Sequence, residues 1–252
     1  MTPIGIAAVA FASTFTCALI GIMVRSLMPE THRSKESQEV VRLGMGLVAT
    51  MTALLLGLIT AAAKSTFDST DLGIRNGATS ILTLDRHLAA YGPSAGPIRD
   101  LLKRTVAQRI QMLWPDSGAS LGFGETMGVS PIENIQNHVL ALVPENDTQR
   151  WLKSECLGLT EQLLRERSRL SDPGIRSVSP VFLTVVIFWL SATFFSFGLF
   201  APSNATVLGL FLIATVSVAA AVFLILELDG PFDGLIKVSS ESWRFALAQL
   251  GT

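Results

Sequence analysis

Three carboxylates stand close together where the last long apolar run of the sequence ends. Glu227, Asp229 and Asp233 fall within the segment "LELDGPFDG", which also contains two glycines. Carboxylates at such spacing could hold a hard cation or act as an acid and base pair. An EF-hand calcium loop is excluded, because the regular oxygen ligands and the terminal glutamate are missing. These three residues are the candidates for a metal, but no further ligand completes a site, so we expect none.

The rest of the sequence offers no second set of chemical groups. The three histidines, His32, His87 and His138, are far apart, and Cys17 and Cys156 lie in unlike surroundings, so we expect neither a metal site nor a disulfide. There is no nucleophile elbow, zinc-protease motif or phosphate loop with its lysine. The sequence therefore predicts neither an enzyme nor a bound cofactor.

A structural role accounts better for the segment after the last apolar run, which we call the elbow (residues 229–239). Pro231 prevents the preceding helix from continuing. A new amphipathic helix is expected to follow, with Ser239 or Ser240 as its cap and Trp243 on its apolar side. The elbow residues to which we assign this turning role are Asp229, Pro231, Phe232 and Gly234.

The helices that must position the elbow are formed by apolar runs of the chain. The chain of 252 residues is 49% hydrophobic and only 15% charged, whereas ordinary soluble domains carry about 25% charged residues. Four runs reach the length of about 20 residues that crosses a bilayer. They cover residues 4–24, 43–63, 181–201 and 207–228. The first run lacks a basic leader and is longer than a signal-peptide core, so it is interpreted as a retained span.

The sequence thus predicts an all-α integral membrane protein with four transmembrane helices in two hairpins. The predicted regions are a first hairpin (1–63), a helical extramembrane region (64–179), a second hairpin (180–228) and a C-terminal elbow with an amphipathic helix (229–252). Within the central region, apolar periodicity predicts helices over 66–91, between Pro97 and Pro115, over 132–142 and from Asp147 onward, with a glycine-rich loop at 118–131.

Charge distribution bears on location and partners. The central region carries equal numbers of acidic and basic residues, so it lacks the basic face of a nucleic-acid binder. Basic residues near the span ends are more numerous on the side of the termini and central region, which favours a cytoplasmic position for both. We therefore expect a multi-pass protein of the plasma membrane, with the lipid bilayer as its surroundings.

The second apolar run carries a ribbon of small residues at four-residue steps: Ala49, Ala53, Gly57 and Ala61. Such ribbons allow helix backbones to approach closely in lipid. Two interpretations stay open. The ribbon packs against another helix of the same subunit, or it faces the axis of an oligomer and lines a narrow path.

Three sequence elements resemble a known family. The C-terminal one is the pattern D-x-P-F-x-G-x-I-x-V-S, here Asp229, Pro231, Phe232, Gly234, Ile236, Val238 and Ser239. The others are Met28-Pro29 with His32, and the segment from Arg99 to Trp114. Over essentially the whole chain, the sequence resembles a bacterial membrane family called bestrophin-like and defined by a domain of unknown function. The chain departs from that family at Gly77-Ala78, where the family tends to carry Glu-Ala.

The resemblance implies a layout and a hypothesis of function. Bestrophins are pentameric chloride channels with four spans and a helical cytosolic region between the second and third. The resemblance therefore implies a homo-oligomeric, bestrophin-like ion channel, with a pentamer and anion transport as its specific form. The alternative is a non-conducting assembly or scaffold subunit that binds a larger membrane complex. Fold alone does not decide between them.

Overall fold

A computed structural model of the protein describes residues 2–27, 35–115, 131–171, 178–202, 204–232 and 234–251. These residues form helices and turns, with no strand among them. The Met28-Pro29 and His32 element, residues 118–130 of the predicted glycine-rich loop, and Asp233 lie outside the described residues.

Eight α-helices follow one another along the described parts of the chain. They are α1 (Pro3–Leu27), α2 (Lys35–Tyr91), α3 (Gly96–Leu113), α4 (Pro131–Ala141), α5 (Asp147–Ser171), α6 (Pro180–Phe200), α7 (Ala205–Asp229) and α8 (Glu241–Gln249). The first residues of two of these helices are of types that favour a helix start. Pro180 occupies the first turn of α6, where its missing N–H costs nothing. The Asn204 side chain caps α7 by accepting a hydrogen bond from the Val207 N–H at 3.0 Å.

Four of the described helices, α1, α2, α6 and α7, are long and apolar enough to cross a membrane. The sequence predicted these apolar runs, but it wrongly separated the second run from a helix beginning near residue 66. In the structure both belong to α2, which has 57 residues. Lys64 and Ser65 are polar but compatible with a helix, and nothing there supplies the glycine or proline that ends one. Polarity changes at this point while the helix continues.

The described residues divide into two compact units. The first contains Met1–Thr66 and Arg176–Gly230, and the second contains Phe67–Ile175 and Pro231–Thr252. The boundary falls within α2, so this helix supplies an apolar half to the first unit and an amphipathic half to the second. In the second unit, the buried face of α3 carries the periodic residues Ile98, Leu102, Val106, Ile110 and Leu113.

In the first unit, α1 and α6 touch through their backbones at two glycines. A Cβ added at Gly21 would lie 2.3 Å from the Phe195 carbonyl oxygen, and one added at Gly198 would lie 2.2 Å from the Ala18 carbonyl oxygen. No side chain fits there. Arg25, one turn after Gly21, donates a hydrogen bond to the Ala201 carbonyl. The two helices therefore run in the same direction and end together.

The third helix of this packing is α7. Phe211 of α7 contacts Phe194 of α6 edge to face, with ring centroids 6.4 Å apart. Both rings are buried together with Ala18. Because lipid tails are as apolar as these side chains, close fit rather than exclusion of water must hold the three helices together.

We predict that Gly21→Ala and Gly198→Ala each destabilise the protein by about 1–3 kcal/mol, because one methyl group forces two backbones apart. The matched control is Gly209→Ala on α7, where an added Cβ meets nothing within 4 Å. That change is expected to be neutral or slightly stabilising. The measurement is thermal unfolding in detergent, followed by near-ultraviolet circular dichroism. Equal unfolding midpoints for all three variants would contradict the backbone contact.

Candidate functional site

The elbow begins with a carboxylate that joins two helix ends. Oδ1 of Asp229, the last residue of α7, accepts a hydrogen bond from the backbone N–H of Val178 at 3.2 Å. Val178 lies just before α6, so this bond ties the end of one apolar helix to the start of another. Glu227 is buried within the last turn of α7, with 3% of its surface exposed. Asp229 thus has a structural task at the position where the sequence suggested an ion ligand.

The structure gives no support to a metal at the elbow. Among the described residues, no group of three histidine, cysteine, aspartate or glutamate side chains is placed to hold an ion. Glu227 and Asp229 are two positions apart on one helix, and Asp233 lies outside the described residues. The metal candidates therefore remain a prediction from sequence alone.

The rest of the elbow folds into a loop held by α3. The Val238 N–H donates to the Pro231 carbonyl at 2.9 Å and closes the loop. Gly234 has φ +96°, a backbone conformation that residues with a Cβ rarely adopt. Trp114, just after α3, donates from Nε1 to the Val238 carbonyl at 2.8 Å and meets the Phe232 ring edge to face. Trp114 and the elbow belong to two separate elements of the family pattern, and in the structure they are in contact.

Helix α8 is anchored to α2 by a second tryptophan. Trp243 donates from Nε1 to the Ile74 carbonyl at 2.8 Å, and the bond is buried. Its indole ring covers Gly77, where an added Cβ would lie 3.4 Å from the nearest ring atom. A longer side chain at Gly77 would have to displace this ring. At Gly77, where the chain departs from the family pattern, the Trp243 ring therefore leaves room only for a small residue.

A largely buried ion pair lies between α2 and α3, and no motif or spacing in the sequence predicted it. Arg99 donates from Nε and Nη2 to the two carboxylate oxygens of Asp85 at 2.8 and 2.9 Å. The hydrogen bonds that Arg99 donates to Asp85 are the main reason why the pKa of Arg99 is raised, against the opposing effect of burial. The Gly251 N–H also donates to Asp85 Oδ2 at 3.4 Å, and Lys103 Nζ donates to the Leu250 carbonyl at 2.9 Å. The hydrogen bonds from Gly251 to Asp85 and from Lys103 to Leu250 fix the C-terminal segment.

The Asp85–Arg99 pair has the two-pronged geometry that makes arginine–carboxylate contacts strong and specific. Spacing along the chain could not reveal it, since its members are 14 residues apart on different helices.

The buried thiol of the second unit is not a nucleophile. Cys156 is fully buried on α5, and burial, with a smaller contribution from Glu155, raises the pKa of its thiol to about 11. A thiol reacts as its thiolate, and little thiolate forms at neutral pH when the pKa is raised. This agrees with a side chain that serves only packing.

The small-residue ribbon lies along the apolar half of α2. Ala53, Gly57 and Ala61 are exposed and Ala49 is half-buried. Only 6% of the most apolar stretch of this helix is buried, against 22–33% for the other three long helices. A Cβ added at Gly57 would meet no described atom within 4 Å. The described part of the subunit therefore leaves this face of α2 largely uncovered.

The hydroxyl groups near the ribbon are already bonded. Thr50, Thr52 and Thr60 donate to the carbonyls of Gly46, Val48 and Leu56, each one turn earlier on the same helix, at 2.7–2.9 Å. Their hydroxyl hydrogens are therefore engaged, and what the face offers is chiefly small, apolar surface.

Fold and site together define an all-helical protein with long apolar helices, a helical second unit and a C-terminal elbow. The sequence matches the family described as Bestrophin-like domain over residues 11–243. The chain therefore belongs to the bestrophin-like family, as its motifs predicted.

A solved structure shows the same fold. The chain is similar to the crystal structure of a bacterial bestrophin homologue from Klebsiella pneumoniae, with a TM-score of 0.68 and 15% sequence identity. The similarity covers 96% of this chain and 97% of that one. No curated protein sequence gives a significant match.

We predict that Asp85→Asn destabilises the second unit by about 3 kcal/mol, because it leaves the half-buried Arg99 without its charged partner. It should also speed hydrogen exchange over residues 241–251, whose end bonds to Asp85. The matched control is Asp71→Asn, which breaks the exposed pair with Arg75 on the same helix and should cost less than about 1 kcal/mol. Chemical denaturation and hydrogen-exchange mass spectrometry measure both effects. Equal losses in the two variants would argue against an anchoring role for Asp85.

Proposed function

We propose that this protein is a homo-oligomeric ion channel of the bestrophin type. The observation that carries the proposal is the uncovered small-residue face of α2, in a chain that belongs to the bestrophin-like family. An apolar helix of a membrane protein needs a close-packing partner or a path to line, and small residues suit both. In the proposed assembly, copies of α2 surround a common axis and Ala49, Ala53, Gly57 and Ala61 face it.

The proposed arrangement in the membrane has four spans, α1, α6, α7 and the apolar half of α2. The parallel course and common end of α1 and α6 support two hairpins that turn on the same side. We assign the termini and the central region (64–179) to the cytoplasm, because basic residues near the span ends are more numerous on that side in this topology. The plasma membrane of a bacterium is the proposed location, five copies the proposed number, and anions the proposed ions.

A scaffold subunit is the second candidate. The observation that favours it is a set of exposed apolar side chains on the second unit, around α4 and the start of α5. Leu140, Val143 and Trp151 are all exposed there. Exposed apolar groups of this size commonly mark an interaction surface. In this alternative, the second unit docks on a larger membrane complex and no ion path forms.

The experiment measures stoichiometry first and conduction second. Protein purified in mild detergent is expected to be a homo-oligomer by native mass spectrometry. In liposomes, it should dissipate a chloride gradient, and replacement of chloride by a large organic anion should slow the flux. A monomer would contradict the homo-oligomer, and an oligomer without flux would contradict the channel and favour the scaffold.

A pair of variants tests the role of α2. Gly57→Leu places a bulky side chain on the ribbon and is expected to reduce flux at least about tenfold, as a barrier raised by roughly 1.4 kcal/mol would do. Gly209→Leu makes the same change on an exposed face of α7 and should leave flux unchanged. Both proteins must keep the wild-type stoichiometry. Equal flux from the two variants would place the path away from this face.

A further inference from the structure

The first unit contains a cleft between three of its apolar helices. The cleft measures about 450 Å³ and is open on one part of its boundary. Its walls include Cys17 of α1, Val41 and Met45 of α2, and Phe188, Ala192 and Leu199 of α6. All three walls come from one copy of the chain. Its size falls in the range of pockets that hold small organic molecules.

The chemistry of the walls selects an apolar occupant. The surface of the cleft is almost entirely apolar. Two serines, Ser191 and Ser196, also line it. The Oγ of Ser191 is buried and has no hydrogen-bond partner among the described residues. In helices long and apolar enough to lie in a bilayer, the medium beside such a cleft is hydrocarbon.

One end of the cleft lies close to a fixed cation. Leu199 lines the cleft, and two residues later the carbonyl of Ala201 accepts a hydrogen bond from Arg25. This contact holds the guanidinium at the common end of α1 and α6. A guanidinium has five N–H donors, so one bond to a carbonyl leaves donors of the kind that recognise phosphate.

An apolar cleft that ends at an arginine matches a molecule with an apolar chain and an anionic head. We propose that the cleft binds one acyl chain of a phospholipid, with the phosphate of the same lipid beside Arg25. This site depends on the proposed membrane insertion of α1, α2 and α6, but not on ion conduction.

The test uses the full-length protein in nanodiscs that contain a phosphatidylglycerol with a photoreactive diazirine in the acyl chain. After illumination, peptide mass spectrometry locates the adducts. Adducts are expected mainly on the cleft segment of α6 (residues 188–199) and at Cys17. Ala192→Phe fills the cleft and should reduce these adducts about tenfold, the loss that roughly 1.4 kcal/mol of binding free energy produces. Ala220→Phe, on an exposed position of α7, should leave them unchanged.

Two results would overturn the acyl-chain site. One is a yield on residues 188–199 no higher than on the exposed α7 segment around Ile213. The other is a pattern that Ala192→Phe does not alter. Cross-links between two copies through the cleft would show a protein occupant and would also overturn it. Native mass spectrometry of Ala192→Phe checks that the variant assembles normally, and liposome flux is measured separately, so failure here leaves the channel proposal to its own test.

A second probe tests the phosphate contact. A diacylglycerol with the same photoreactive chain has no phosphate, so it should label the cleft several-fold less than phosphatidylglycerol does. Arg25→Gln should reduce labelling by phosphatidylglycerol and leave labelling by diacylglycerol unchanged. Equal labelling by the two lipids in the wild-type protein would overturn the assignment of Arg25 to the phosphate.

Discussion

The packing of the first unit depends on the direct contact between the backbones of α1 and α6. In lipid, apolar side chains gain nothing by leaving their surroundings, so helices associate where their surfaces fit closely. Gly21 and Gly198 provide that fit by removing both side chains at the crossing point. The parallel course of the two helices, the hydrogen bond of Arg25 at their common end and the place left for α7 against Phe194 all follow from this contact.

In the second unit, hydrophobic burial and polar bonds, rather than close contact between backbones, hold the helices together. Its helices bury a water-excluding core, and polar bonds then determine where the C-terminal segment lies. Trp243 and Trp114 each donate one N–H to a backbone carbonyl, and Asp85 receives both the Arg99 guanidinium and the N–H of Gly251. A buried ion pair is weak evidence for stability, and in some proteins its role is to select one arrangement. Here it selects one position for the end of the chain.

Sequence reasoning succeeded where the signal is local and failed where it depends on distant residues. The apolar runs and the α3 face were predictable because hydropathy and periodicity are read within a short window. The length of α2 was missed because Lys64 and Ser65 change polarity without ending a helix. The Gly21–Gly198 contact was missed because the two glycines lie on different helices, far apart in the sequence. The more visible ribbon of α2 is uncovered in the described part of the chain. No spacing rule joins Asp85 to Arg99.

The bonding of the α2 hydroxyls limits how a path along that helix could select ions. An anion that leaves water needs hydrogen-bond donors or positive charge in exchange. Thr50, Thr52 and Thr60 already donate to carbonyls of their own helix, and Ala53, Gly57 and Ala61 have no side-chain donors. In the proposed channel, the α2 face would therefore control passage by its width and by exclusion of water. Selection by charge would have to occur outside residues 43–63 of α2, which carry no charged side chain.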